Sequence, residues 1–264
     1  MSLWLLANTV GRASAQIVAS DTSDVAISDQ SKVGVVRGGP RHLKWTSDHA
    51  TAARRIAYVE KGGSLVADFC VVADAKAHDG SNLKVIEFTA YGGTESNLDS
   101  RTLGTSDYVG IGRQDFVYKF SSKQSSKQAF GVEFGGTSYR KTARQIFFAE
   151  GIEFAEHPDG SVITVQPVSI HEPAYSFQGH PYHLYAQASI TFTNVTRATV
   201  DAYQQLKQNH PEPMFLYDSS GTSLIGNAIA HKLWHCIIIE DVFTPVSDDA
   251  YAVEMTLGIL RSWL

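Results

Sequence analysis

Cysteine is scarce in this chain: two residues in 264, Cys70 and Cys236. Both stand in apolar runs, DFCVV and WHCII, so they read as buried thiols and not as a disulfide framework. A reducing compartment at the time of folding follows from that. Positive charge is in short supply as well. Lys and Arg total 22 against 27 Asp and Glu, a formal net charge of −5, and no local Lys/Arg cluster compensates. That balance argues against a dedicated nucleic-acid binder. No apolar run approaches the roughly 18 residues of a membrane span, so no membrane insertion is expected. The opening MSLWLLANTVGRASA lacks a basic n-region, and its apolar core is shorter than the about 7–15 residues of a secretory signal. It reads as a first strand with Trp4 in the core.

The motifs of common chemistries are missing too. No G-x-S-x-G elbow occurs. The glycines of GVEFGG (131–136) and YGG (91–93) precede no helix that would present amides to a phosphate. Neither cysteine has the polar, electropositive setting that favours a thiolate. In GHPYH, His180 and His183 (with His171 and Glu172 nearby) have a strand spacing that turns the two rings to opposite faces. They read as loop or interface histidines. His231 and His235 are four apart, but the run that follows is rich in β-branched residues and reads as a strand, not as a zinc-binding helix. The carboxylates of Glu240-Asp241 and Asp248-Asp249 lie in or beside a turn and read as a solvated rim, not a glycosidase pair. Asn194-Val195-Thr196 fits a glycosylation acceptor, and Thr196 as a helix cap accounts for it. The expectation is a protein that is not an enzyme and that carries no metal and no cofactor.

What is present is β-strand. Residues 1–154 read as short strands at 3–10, 14–19, 33–36, 42–46, 54–59, 65–73, 83–91, 116–120, 129–134 and 143–154. The turn signals RGGP (37–40), EKGG (60–63), DGSN (79–82) and YGG (91–93) separate them. Many short strands with Gly-rich turns and no intervening helix predict an antiparallel sandwich or jelly roll. The polar stretch 94–114 reads as a long loop on the rim, and SSKQSSKQ (121–128) as a solvated hairpin tip. RQIFFAEGIEF (144–154) is the last strand of this domain and the exit into the next. Beyond it the pattern becomes strand, helix, strand, strand. TRATVDAYQQLKQNH (196–210) is the one convincing helix, capped by Thr196, with Val200, Tyr203 and Leu206 on one face and Pro211 and Pro213 after its end. Strands at 161–170, 182–195, 214–218, 232–243 and 251–264 surround it, the last two joined by the turn TPVSDD. The fold class expected is mainly β. Residues 1–155 form a β-sandwich domain, and residues 156–264 form a β-rich module with its helix at 197–209.

The order of KWTSD (44–48), LVADFCVVAD (65–74), LKVIEFTAYGG (83–93), FVYKFSS (116–122), FGVEFGG (130–136) and RQIFFAEGIEF (144–154) resembles the galactose-binding-like jelly roll. It is similar in particular to the version found in tailed-bacteriophage tail and baseplate proteins. The second half resembles the C-terminal module of phage distal-tail proteins. That pattern is met by Thr199, Leu206, Pro213, Phe215, Tyr217, Trp234, Cys236, Tyr251, Val253 and Leu257. The resemblance implies a structural component of a tail tip or baseplate, packed as a homo-oligomeric ring or collar with other tail proteins. Its location would be the virion tail, after assembly in the host cytoplasm. The alternative is a carbohydrate-binding adhesin module recognising host surface glycans, since jelly-roll lectins use rim aromatics and amides. Its candidate contacts, for glycan or partner, are Tyr91, Asn97, Tyr108 and Arg113. The final strand ends on the apolar Trp263 and Leu264, and these are the candidate assembly residues.

Overall fold

The computed structural model describes residues 3–10, 15–20, 45–47, 53–60, 62, 64–73, 82–102, 116–135, 141–154, 164–167, 175–177, 180–182, 184–210, 214–218 and 233–260. In chain order the first strands are β1 (Leu3–Ala7), β2 (Gln16–Ser20), β3 (Trp45–Thr46), β4 (Arg54–Val59), β5 (Leu65–Ala73) and β6 (Asn82–Phe88). Next come β7 (Glu95–Thr102), β8 (Phe116–Lys127), β9 (Ala129–Phe134), β10 (Thr142–Ala143) and β11 (Gln145–Phe154). Then follow β12 (Thr164–Pro167), β13 (Tyr175–Phe177), β14 (His180–Tyr182), β15 (Leu184–Thr196) and the helix α1 (Arg197–Asn209). β16 (Met214–Asp218), β17 (Leu233–Ser247) and β18 (Ala250–Leu260) complete the chain. Residues 8–150 form one compact unit, and residues 1–7 with 151–264 form a second.

Alternation of side chains builds the 8–150 unit. In β4, Ile56 and Tyr58 face one way and Arg55, Ala57 and Val59 the other. In β9, Phe130, Val132 and Phe134 oppose Ala129, Gly131 and Glu133. The first set of each strand joins the aromatic core, together with Cys70 and Val72 of β5, Phe116 and Phe120 of β8, and Ile146 and Phe148 of β11. One antiparallel sheet has the order β2-β4-β9-β6-β7. The facing strands pair as β11-β5-β8, also antiparallel. β3 and β10 form a short pair. Of the connections from β4 to β9, only β6 to β7 stays within its sheet, and this repeated crossing is the jelly-roll arrangement. The protein is mainly β, as its turn-rich sequence predicts.

In the other unit the strands pair antiparallel in the order β12-β15-β18-β17-β16-β1. Their core is largely aliphatic and includes Leu3, Leu5, Ile190, Leu216, Val253, Met255, Leu257 and Ile259. The helix α1 contributes Val200, Tyr203 and Leu206. Thr196 is its N-cap, and its hydroxyl accepts the Thr199 N–H at 3.3 Å, so a donor otherwise lacking a partner is satisfied. β13 and β14 pair as a short hairpin.

Several expectations change. Part of the predicted loop 94–114 is strand, because β7 pairs with β6 from Asn82↔Thr102 to Phe88↔Glu95. An edge strand has one pairing partner, and among the described side chains of β7 only Leu98 packs against the core, so polar side chains suffice and the sequence reads as loop. The expected hairpin tip 121–128 is mostly the end of β8, which pairs Gln124 with Ala67 and Lys127 with Leu65. Backbone pairing there proceeds without apolar side chains, at a second edge. The first strand pairs with β16, Leu3 opposite Asp218, so β1 belongs to the second unit, a pairing that no local pattern encodes. Finally, β17 continues through the expected turn to Ser247, with register shifts between Ile238/Glu240 and Pro245/Ser247. A bulge lets a Pro-containing segment remain in a ladder.

Candidate functional site

Among the described residues of the 8–150 unit, the turn between β6 and β7 is exposed and braced by several hydrogen bonds. Phe88 and Glu95 face each other across the hairpin. Between them, the Gly93 N–H donates to the Ala90 carbonyl at 3.0 Å, and Gly92 has φ 86°, a left-handed conformation that a side chain would strain. Gln128, at the crossover from β8 to β9, braces the turn. Its Oε1 accepts the Tyr91 N–H at 3.0 Å, its own N–H donates to the Phe88 carbonyl at 2.9 Å, and its carbonyl accepts the Glu60 N–H at 2.8 Å. Tyr91 is half-buried, with its ring T-shaped to Phe88 at 5.4 Å and 69°. Thr89, Ala90, Thr94, Ser96 and Asn97 are exposed around it.

Beneath the hairpin lies a charge network on the sheet face turned away from the aromatic core. Arg55 is 1% exposed. Its Nη2 donates to Glu133 Oε2 at 2.9 Å and to Glu95 Oε2 in a shorter contact. Lys84 Nζ reaches the other Glu133 oxygen at 3.0 Å. The guanidinium carbon stands 5.2 Å from the Phe88 ring centroid, within cation–π range. Nearby, Lys127 donates to Glu87 Oε1 at 2.6 Å.

The structure thus brings Tyr91 and Asn97 to one hairpin, while Tyr108, Arg113, Trp263 and Leu264 lie outside the described residues. His171, Glu172, His183 and His231 lie outside them too. Among the described residues, no group of three or more His, Cys, Asp or Glu is arranged to hold a metal ion, and no helix is long and apolar enough to cross a membrane. Both cysteines are buried thiols. Burial raises the Cys236 thiol to about 12, so it is no nucleophile near neutral pH. Among the described residues of the other unit, α1 and β17 share a polar clasp. Tyr203 donates to Asp241 at 2.8 Å, and Lys207 donates to both carboxylate oxygens at 2.8 Å. Burial first, then the bond to Asp241, pushes the Tyr203 hydroxyl well above its ordinary value.

Sequence reading missed Arg55, Glu95, Glu133 and Gln128. The available signal was parity: Arg55 and Glu133 occupy outward positions of strands whose other outward residues are apolar or glycine. Two such opposite charges at matched register (Arg55↔Glu133) mark a cross-strand pair, but the register is a product of the fold.

No family model and no curated protein matches the chain. Among solved structures, it is similar to a chitosan-binding module from a chitosanase/glucanase of Paenibacillus sp. IK-5, with TM-score 0.42 and 11% identity over 55% of this chain and 99% of that one. A family 32 carbohydrate-binding module of C. perfringens NanJ, solved with galactose, gives TM-score 0.37 and 10% identity over 56% of this chain and 99% of that one. A GH29 fucosidase of Ruminococcus gnavus gives TM-score 0.39 and 14% identity over 54% of this chain, which spans only 26% of the fucosidase. The jelly roll described above stands on its own strand pairing and core. Nothing in these comparisons supports the tail or baseplate membership that the sequence pattern implies.

Proposed function

We propose that the 8–150 unit is a non-catalytic carbohydrate-binding module that takes a neutral sugar at the β6–β7 hairpin. The observation that carries this reading is the Tyr91 ring, held on Phe88 in a braced turn beside the exposed Asn97 and Ser96. A pyranose offers an apolar C–H face and a rim of hydroxyls. Its recognition needs a flat ring for the first and a few amides and hydroxyls for the second. The net charge of −5 gives no general attraction for polyanionic glycans. The solved modules named above, one chitosan-binding and one with galactose bound, suggest the first probes.

A glycan array carrying galactose- and glucosamine-terminated oligosaccharides tests the reading, followed by calorimetry with the best ligand. Tyr91→Ala is expected to abolish binding and Asn97→Ala to weaken it, with both variants folded. An array on which the wild-type chain takes no sugar, or a Tyr91→Ala variant that binds normally, overturns the reading.

The structural reading is kept as the second: a tail-tip or baseplate component of a virion, assembled as a ring. Its support is that Leu206, Trp234, Cys236, Val253 and Leu257, five positions of the distal-tail pattern, all lie in one buried core. A mass by light scattering that corresponds to a closed ring would favour it, and a monomer at all concentrations would remove it. Trp263 and Leu264 belong to this reading as assembly residues.

A further inference from the structure

We propose that Arg55 is a positioning residue for the Tyr91 turn, holding both stems of the β6–β7 hairpin so that the ring keeps one orientation. The inference rests on the glycan reading for its functional meaning and on geometry for its substance. Arg55 belongs to β4, and two strands, β9 and β6, separate β4 from β7 in the sheet. Its guanidinium nevertheless bonds Glu95, the first residue of β7, and lies over the ring of Phe88, the last residue of β6. Those two residues face each other at the mouth of the turn. One side chain therefore ties both stems to the middle of the sheet.

Burying a guanidinium this fully is unfavourable unless charge and hydrogen bonds compensate. Compensation comes from two carboxylates, Glu133 at 2.9 Å and Glu95, while Lys84 balances the second oxygen of Glu133 at 3.0 Å. The four groups sum to zero charge. A network whose only task was to knit the sheet would need just the register pair Arg55↔Glu133. The additional reach to Glu95 and Phe88 selects the hairpin. Phe88 carries the Tyr91 ring edge-to-face at 5.4 Å, so the order of restraint runs from Arg55 through Phe88 to Tyr91. Lysine is a poor replacement, because its compact, strongly hydrated ammonium lacks the planar face that a guanidinium lays on a ring while its N–H groups bond carboxylates.

The test uses the full chain labelled with 3-fluorotyrosine, read by fluorine NMR, with the Tyr91 line assigned by its loss in Tyr91→Phe. Glu95→Gln preserves shape and leaves Arg55 paired with Glu133, so the unit remains folded. It is expected to shift and broaden the Tyr91 line while leaving the other tyrosine lines in place. Arg55→Lys is expected to do the same. Affinity for galactose or chito-oligosaccharide, whichever the wild-type chain binds, is expected to fall about tenfold in both, the scale of weakening one charged hydrogen bond. Lys123→Gln, which removes an exposed pair with Glu150, serves as the unaffected control. A Tyr91 line unmoved in folded Glu95→Gln overturns the proposal and leaves the network as a stabilising one, and this variant decides alone if Arg55→Lys does not fold. A Tyr91 line that moves in a protein binding no sugar upholds the positioning and defeats the glycan reading.

Discussion

Rings are more frequent in the core of the 8–150 unit than in that of the other unit, where branched aliphatic chains make up most of the packing. Phe148 stacks on Phe130 at 5.3 Å and meets Tyr58 edge-on at 6.1 Å, and Phe130 continues to Phe120 at 6.2 Å. In the other unit Leu257, Ile259, Val253 and Met255 alternate along β18, and the helix lays Val200, Tyr203 and Leu206 on that surface. A ring packed against other rings leaves a large void when it is removed, whereas a volume-conserving exchange among aliphatic chains is tolerated. The polar investments differ in the same sense. The sandwich buries a guanidinium between two carboxylates on its outer face. The other unit keeps its charge at the rim, where Lys207 is 41% exposed against Asp241.

The sharpest way to break this comparison is a pair of core substitutions, one a truncation and one a near-isosteric swap. Phe148→Ala is expected to destabilise its unit by about 3–5 kcal/mol, since rings on two sides lose their partner and the cavity cannot collapse. Met255→Leu in the other unit is a near volume-conserving swap and is expected to change stability by less than about 1.5 kcal/mol. Hydrogen-exchange protection, read separately for 8–150 and 151–264, measures both. Comparable losses would remove the distinction between a rigid and an adaptable core.

Alkaline pH sharpens the comparison from the other side. Cys236 and Tyr203 hold their protons in the folded state beyond their ordinary values of 9.0 and 10.0, chiefly through burial. The unfolded chain releases those protons at the ordinary values, so above them it binds fewer protons than the folded chain, and unfolding free energy falls as pH rises. Below pH 9 the two groups are protonated in both states and have no effect. Protection in the 151–264 unit is therefore expected to hold up to about pH 9 and to decline above it as first Cys236 and then Tyr203 ionise in the unfolded chain, and Tyr203→Phe is expected to remove part of that decline. A pH-independent profile across that range would count against both buried protons. The smallest expected effect is local. Thr196→Ala removes the helix cap and is expected to cost about 1 kcal/mol, read as faster exchange of the Thr199 amide.

Strand and helix identity were legible where side chains carry the signal. The helix at 197–209, its Thr196 cap and its buried face at Val200, Tyr203 and Leu206 follow from a period near 3.6 and a capping hydroxyl. β16 at Met214–Asp218 matches its apolar run. Legibility failed at edges. The polar strand β7 and the polar end of β8 are held by backbone pairing, which has no side-chain signature. Of the candidate site, Tyr91 and Asn97 were visible as a turn aromatic and an amide. Arg55, Glu95 and Glu133 were not, because their partnership spans 40 and 78 residues of chain.

By itself the sequence determined that this protein is made mainly of antiparallel strands with a helix at 197–209, because alternation, turn residues and caps act between near neighbours. It determined also that both cysteines are buried thiols, because their flanking residues are apolar. Only the tertiary structure decided that β1 joins the strands of 151–264 and that β6 and β7 form a hairpin over a buried guanidinium. Sheet order and register join residues far apart along the chain, and their free energy comes from surfaces that exist only once both partners are in place.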